Sequence, residues 1–549
     1  MFNYNHLKLT STTSEIELQL DKAWEYINQQ NVPKAEQACL KFTQDFPNNA
    51  DGWYARSFLA FQLKQSTLAL SAINKAISLQ PTNPQWQLQK VNTLLLMKNK
   101  NEAIVQAHFL KDKEELSLAL CNDLAIMFTK LINYDQAHYY YQQALCIISE
   151  TQQPKESAQL YFNLASIARY QGDIALSEQH LNQAISLNPN DHEAYLLRAS
   201  LKKQTADSNH IQQLEQVLTQ NIKHPISKAQ IHYALAKEQE DLGLYTQSFK
   251  QLEQGASVRR EYMRYDVNND LLTLGKIKEI FDKSWLKKQA ELTSTVDSNE
   301  NDEAIFILGL PRTGSTLVER IISNHDDVFS AGELNNFALC MMEEVKKVAS
   351  TPPKSRAQLI ELTSKINFKA LGESYINSTR PETASCKHFI DKLPLNSLYV
   401  GLIHLALPKA KIIHVTRHPL DTCYSIYKQL FTNGYPFSYD LTELAQYYIE
   451  HHKMMQHWHA LLPDIIHQVA YEDIVIALTG EAKKLIAYCQ LNWQVQCSDF
   501  QNNAAPSTTA SASQVRQKIY KSSIGQWQHY QNELAPVKQL LEQAGICCD

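Results

Sequence analysis

Two patterns of apolar positions divide the chain. Up to about residue 285, apolar residues recur at helical spacing and in repeating frames. Ala35, Ala69, Ala103 and Ala137 follow one another at intervals of 34 (69 − 35, 103 − 69, 137 − 103), in PKAEQACLKF, LALSAINKAI, NEAIVQAHFL and DQAHYYYQQAL. Pro47 and Pro81, again 34 apart (81 − 47), close units within DFPNN and LQPTN. A further unit carries Ala175, 38 residues past Ala137 (175 − 137), and ends at Pro189 in LNPND. HYALAKEQEDLGLYTQSFKQLEQG reads as one more, degenerate unit. Two short helices cannot bury their apolar faces alone, so stacked neighbours must supply a continuous core, with small residues where helices cross. Tyr139, Tyr140 and Tyr141, within one repeat helix, read as packing.

The segment 286–303 ends in TSTVDSNENDE, polar and without period, and marks a linker. Beyond it the pattern changes. AIFIL (304–308), HFIDK (388–392), KIIHVTR (411–417) and IHQVAYED (466–473) read as short buried strands. Helical patterns separate them at about 338–349, 355–378, 397–406, 419–430, 441–460 and 481–488, and 326–332 reads as a loop. Such alternation predicts an α/β domain with a mostly parallel sheet and helices on both faces. Ligands of such sheets bind beyond the carboxyl ends of the strands. The predicted organisation is a helical repeat domain over 1–285, a linker over 286–303 and the α/β domain over 304–549.

Composition narrows the function classes. A length of 549 residues suits two or three domains, and 44% hydrophobic with 20% charged residues suits well-cored ones. A net charge of −5 argues against nucleic acid as the main partner, so any anion site must be local. MFNYNHLKLTSTTSEIELQL lacks the apolar core of a signal peptide, and no later run has the ~18 apolar residues of a membrane span. The ten cysteines include no Cys-x-x-Cys pair, which predicts neither a zinc site nor a disulfide scaffold; Cys547-Cys548 reads as a frayed tail. A cytoplasmic setting is expected.

The chemistry begins where the first strand ends. Gly309-Leu310-Pro311-Arg312-Thr313-Gly314 breaks the strand, and Ser315-Thr316 start a helix with apolar residues at Leu317, Ile321 and Ile322. A strand, a glycine-bounded turn and a helix N-terminus form an anion cradle, because backbone N–H groups and the helix dipole both favour negative charge there. Arg312 adds a full positive charge. The spacing approaches a P-loop, yet the lysine that would reach the β/γ-phosphates of a nucleoside triphosphate is missing. A second junction lies 105 residues on (417 − 312): Arg417 ends a strand, Pro419 opens a helix and Ser425 follows eight residues after Arg417. A guanidinium beside a hydroxyl suits a second phosphate.

Pro311-Arg312-Thr313-Gly314-Ser315-Thr316 resembles the 5′-phosphosulfate loop of sulfotransferases, which use PAPS (3′-phosphoadenylyl sulfate). Residues from about 304 to 549 resemble the sulfotransferase superfamily, nearest to its tyrosylprotein branch, and with the repeats the whole chain resembles tetratricopeptide-repeat (TPR) sulfotransferases. The resemblance implies that Arg417 and Ser425 hold the 3′-phosphate of PAPS and that Tyr471 touches its adenosine side. It implies Glu333 as catalytic base and Lys392 as the lysine that stabilises the transition state. In the C-terminal loop, Ser511, Gln514, Val515 and Arg516 fall where the family closes over the cofactor, although 504–513 also reads as a low-complexity linker. The sequence departs from the family at Gln526, where a basic residue often precedes the tryptophan; Arg516, Lys518 or Lys521 could supply that charge. His325, His404, His414 and His418 read as core or surface residues.

The implied activity is sulfuryl transfer from PAPS to a hydroxyl, with a protein tyrosine among the acceptors, no metal, and the repeats recruiting an acceptor or partner. Two alternatives stand beside it. A degenerate P-loop kinase would need the missing lysine, and a TPR scaffold with an inactive domain would bind partners without turnover.

Overall fold

The computed structural model describes residues 15–97, 99–110, 116–149, 153–293, 301–383, 386–432, 434–502 and 521–549. The chain divides into two compact units, Met1–Gln152 and Gln153–Asp549.

The first unit is built of helix pairs, among them Val32–Asp45, Ala50–Gln62, Ser66–Leu79, Pro84–Leu96, Leu118–Lys130 and Tyr134–Ser149. Ala35, Ala69, Ala103 and Ala137 are all fully buried, as the 34-residue period requires. The proline motifs both end one helix and start the next. Two residues after Pro47 and Pro81, Asn49 and Asn83 cap the following helices by accepting hydrogen bonds from the backbone N–H groups of Gly52 and Gln85. Ala175 departs from the expected pattern. It is exposed, and Ser177 occupies the buried crossing position in helix Ile174–Leu187, donating to the Ala165 carbonyl at 2.8 Å. A serine can replace alanine there because its hydroxyl finds a backbone acceptor within the helix pair. Tyr140 and Tyr141 are buried, as packing residues should be, whereas Tyr139 is largely exposed.

The second unit holds five parallel strands: β1 (Ala304–Leu308), β2 (Val328–Ser330), β3 (His388–Lys392), β4 (Lys411–Thr416) and β5 (Ile466–Ala470). Their order is β2-β3-β1-β4-β5. Every residue of β1 is buried, which a parallel sheet covered on both faces demands. Ala304, Phe306 and Leu308 face a core with Phe337, Tyr375 and Tyr424, while Ile305 and Ile307 face another with Val318, Ile413 and Leu485.

Three local expectations need correction. β2 lies within the stretch read as a loop; three residues are too few to show a period, and the strand exists through pairing with β3 across a long sequence gap. IHQVAYED is not one strand, because Tyr471 begins helix Tyr471–Ile476. The helical pattern at 355–378 is two helices, Arg356–Thr363 and Phe368–Thr383.

Helices of the degenerate repeat region belong to the sheet's own core. Tyr233, Phe249, Leu252, Leu274, Ile277 and Phe281 are buried in the cluster that contains Phe306 and Tyr424. Burial of each large side chain contributes roughly 1.5–3 kcal/mol, so a cut at 286–303 would uncover a substantial apolar face. Polar contacts follow the same seam. Arg260 holds Glu443 at 2.7 Å, Lys278 holds Glu450 at 2.8 Å, and the Tyr233 hydroxyl donates to the Tyr427 carbonyl at 3.1 Å. At the C-terminus, Cys548 is buried in this cluster, contrary to a frayed tail. Among the described residues, no helix is long and apolar enough to cross a membrane.

Candidate active site at the carboxyl edge of the sheet

The strand order sorts the candidate residues along one edge. Taken from β2 to β5, the carboxyl ends carry Glu333, then Lys392, then the loop 309–314, then Arg417, then Tyr471. Neighbouring strands lie about 4.8 Å apart, so residues separated by up to 159 positions (471 − 312) become near neighbours.

The loop after β1 is shaped by its two glycines. Gly309 has φ +142°, and a Cβ there would lie 2.4 Å from the Val415 carbonyl oxygen. Gly314 has φ +99°, and a Cβ there would lie 2.5 Å from the Tyr471 ring. Arg312 sits between them at φ +66°, a strained conformation for a residue with a side chain, of the kind that gathers at ligand sites. The Thr313 hydroxyl pins the turn by donating to the Leu310 carbonyl at 2.8 Å. Helix Ser315–Ser323 then starts from Gly314 with no side chain capping its N-terminus. A cradle closed to Cβ atoms but fronted by a helix N-terminus and an arginine fits an anion.

Arg417 knits the second half of the edge together. Its guanidinium donates to Ser425 Oγ at 3.0 Å and to the Arg312 carbonyl at 3.2 Å, donates also to the Ser523 carbonyl, and lies 5.0 Å from the centre of the Tyr471 ring. Its Nε is buried without a hydrogen-bond partner among the described residues. Tyr471 and Ser523 share a hydroxyl–hydroxyl bond of 2.7 Å. The C-terminal segment is brought here by Asp421. This fully buried carboxylate does not pair with Arg417; it accepts from the Gly525 and Trp527 backbone N–H groups at 2.7 and 3.0 Å. His418 stacks on Trp527, with ring centres 5.4 Å apart and planes 2° from parallel. At Gln526 the structure supplies a cation that the sequence did not suggest, since Lys428 donates to its side-chain oxygen at 2.8 Å and also holds Glu240.

At the other end, Lys392 is 2% exposed and donates to Glu333, which is 50% exposed. Backbone bonds fix the approach: Ala331 N–H donates to the Ile390 carbonyl and Lys392 N–H to the Gly332 carbonyl, at 3.0 and 2.9 Å. A second carboxylate, Glu319, lies in helix Ser315–Ser323, buried and bonded to Ser330 Oγ at 2.6 Å. Burial raises its pKa, and the Lys392 ammonium works against that rise. A buried ammonium therefore stands in the field of one exposed and one buried carboxylate.

Asp391, beside Lys392 in β3, points into the opposite core and accepts from the Tyr375 hydroxyl at 2.9 Å. Burial pushes its carboxyl from 3.8 up to about 7. Between those values the folded state holds more protons than the unfolded one, so this group makes stability fall as pH rises from about 4 to about 7. Asp391→Asn keeps the shape and an acceptor for Tyr375 without the charge. Its melting temperature is expected to gain on the wild type across that window. Parallel pH profiles for the two proteins would contradict the assignment.

His418 belongs to the edge through Trp527, and His414 and His451 line a small cavity with Thr313 and Arg417. His414 and His451 are buried, the first drawn well below its ordinary pKa and the second to about 3, in each case chiefly by burial. His404 is lowered by the same cause, and His325 Nε2 donates to the Asn492 carbonyl, 2.9 Å away. Ser511, Gln514, Val515 and Arg516, with Lys518 and the stretch 504–513, lie outside the described residues. Glu319, Asp421 and Ser523 were not anticipated. Only Glu319 left a trace in sequence, as a charged residue on the inner turn of an otherwise apolar helix face.

Comparison with known proteins agrees with this architecture. Residues 304–495 match the profile of the sulfotransferase family, and residues 20–84 and 158–191 match profiles of the tetratricopeptide repeat. An uncharacterized protein of Aquifex aeolicus (strain VF5) is 25% identical over 465 residues, which cover 81% of this chain; the match spans 60% of that relative's length. Among solved structures, the sulfotransferase domain from the curacin biosynthetic pathway is 19% identical, with a TM-score of 0.33, covering 46% of this chain and 100% of that one. YrrB, described as a TPR protein with an unusual peptide-binding site, is 13% identical, with a TM-score of 0.27, covering 41% of this chain and 94% of that one. The chain thus joins a sulfotransferase-family domain to tetratricopeptide repeats.

Proposed function

We propose that the protein transfers the sulfuryl group of PAPS to an acceptor hydroxyl. The observation that carries this reading is the single edge on which the Glu333–Lys392 pair, the loop 309–314 and the Arg417–Ser425 pair follow one another in space. PAPS, when bound, supplies an activated sulfuryl group on an oxygen bridging to a phosphate leaving group. Arg312 and the loop from Pro311 through Thr316 would hold the phosphosulfate. Arg417 and Ser425 would hold the 3′-phosphate, and Tyr471 would flank the adenosine. Glu333 accepts the proton that leaves the acceptor oxygen. Lys392 neutralises charge that builds on the bridging oxygen, as positioned cations do in phosphoryl transfer, and no metal is required for that role. Ser511, Gln514, Val515 and Arg516 would close over the nucleotide.

A protein tyrosine, the acceptor of the branch that the sequence resembles, is one candidate, with the repeats of 1–285 recruiting it to the domain of 304–549 across the linker 286–303. A reducing, cytoplasmic setting belongs to the same reading, since the sequence spaces its cysteines without a Cys-x-x-Cys pair. Calorimetry tests the cofactor. Adenosine 3′,5′-bisphosphate should bind without Mg²⁺, and AMP, lacking the 3′-phosphate, should bind far more weakly. Tight Mg²⁺-dependent binding of ATP, with none of the bisphosphate, would restore the kinase alternative.

A further inference from the structure

Helices Pro225–Asp241 and Tyr245–Glu261 carry the degenerate repeat, yet their side chains reach the arginine–serine half of the edge. Glu240 stands one position before the end of the first of them. Its Oε1 accepts from Lys428 Nζ and its Oε2 from the Tyr424 hydroxyl, each at 2.8 Å. Burial alone would raise the Glu240 pKa, but the Lys428 ammonium and the Tyr424 hydroxyl bring it below its ordinary value. The carboxylate is thus an ionised group with two charge-assisted bonds inside the seam.

Both donors serve the helix Pro419–Tyr427. Tyr424 immediately precedes Ser425, and Lys428 follows the last residue. Lys428 also donates to Gln526 Oε1 at 2.8 Å, at the start of the turn Gln526–Tyr530. Rings from the repeat pair seat that turn. Tyr245 stacks on His529 with centres 4.0 Å apart, and buried Tyr530 lies against Tyr245, Phe249 and Tyr424 at 5.6, 5.5 and 4.4 Å. Three positions before Gln526 (526 − 523), Ser523 offers its carbonyl to Arg417 and shares a hydroxyl bond with Tyr471. One carboxylate therefore braces the two segments that meet on Arg417.

Those segments need bracing. An arginine has several rotatable bonds, so its guanidinium stays in one place only if its partners are fixed. Ser425 lies in a helix of 9 residues, and isolated helices shorter than about 12–15 residues are marginal in water. Ser523 lies in a short turn that has no ladder to hold it. Packing and polar ties from the repeat pair supply what neither segment supplies for itself.

We propose that Glu240 is a positioning residue of the nucleotide site, so that the last repeat-like helix pair sets Arg417 and Ser425 for the 3′-phosphate through Lys428, Tyr424 and the turn Gln526–Tyr530. The assignment rests on the sulfuryl-transfer reading for the identity of that anion.

The test titrates the full chain with adenosine 3′,5′-bisphosphate and with AMP by calorimetry, in the wild type, Glu240→Gln, Lys428→Met and the double variant. Glu240→Gln keeps the side chain's shape and an acceptor for the Tyr424 hydroxyl. Each single variant should bind the bisphosphate roughly three- to tenfold more weakly, with AMP affinity nearly unchanged. The double variant should lose less than the product of the two single losses, because both substitutions break one contact. A merely structural Glu240 would lower the melting temperature and leave the ratio of bisphosphate to AMP affinity at its wild-type value, which overturns the proposal. Single losses that multiply in the double variant would overturn the route through Lys428. A wild type that binds no bisphosphate would instead sink the sulfuryl-transfer reading, and this assignment with it.

Discussion

Glu333→Gln is expected to lower kcat by roughly 10² or more, the usual loss for a general base, while leaving affinity for adenosine 3′,5′-bisphosphate unchanged. Glu333 stands at the β2–β3 end of the edge, and the arginine–serine pair proposed for the 3′-phosphate stands beyond β1 at the β4 end. Removing a negative charge from the first place should not weaken an anion held at the second. The substitution also spares the fold. Glu333 is half exposed, its amide replacement still offers Lys392 an acceptor, and buried Glu319 remains as a counter-charge to the ammonium. Lys392 would keep an acceptor and stay in place, so a fall in kcat would report the lost proton acceptor. Single-turnover measurements, in which chemistry limits the rate, are the appropriate readout. A near-normal rate there would remove Glu333 from the mechanism.

Arg417→Ala should weaken bisphosphate binding by about ten- to a hundredfold, corresponding to charge-assisted bonds of roughly 1.5–3 kcal/mol. AMP affinity should change much less, since the 3′-phosphate is the group Arg417 would meet. The structure adds a second route to the same loss. Arg417 also ties the Arg312 carbonyl, Ser425 and the Ser523 carbonyl, so its removal loosens both the anion loop and the C-terminal segment. Ser425→Ala separates the two effects, because it deletes one hydroxyl and leaves the other ties intact; a few-fold loss is expected for a hydrogen bond of that class. Calorimetry that finds bisphosphate affinity untouched by Arg417→Ala would place the 3′-phosphate elsewhere.

Some of this site could be read along the chain. Apolar runs fixed β1 and β3 to the residue, since a buried strand declares itself by an unbroken run ended by glycine, proline or charge. The turn 309–314 was legible for a similar reason: Gly309 and Gly314 are demanded by local backbone geometry, and Arg417 and Ser425 share one strand–helix junction. The 34-residue period likewise predicted which alanines are buried.

What lay beyond the sequence depends on pairings between distant segments. Periodicity shows that a face is buried, not what buries it. The degenerate repeat at 232–255 therefore gave no sign that Tyr233 and Phe249 pack into the core of the sheet. β2 is too short to announce itself, and it is β2 that carries the chain back to set Glu333 against Lys392. Asp421 finds its partners about a hundred positions away, because burial rewards full satisfaction of a carboxylate and the Gly525 and Trp527 N–H groups provide it. The amino-acid sequence by itself determined the two kinds of architecture, the glycine-bounded turn 309–314 and the arginine–serine pair, because each follows from short-range sterics and spacing. Tertiary structure alone decided the strand order that lines up the five groups and the buried Glu319 in the field of Lys392, because each arises only where segments far apart in sequence exclude water from one another.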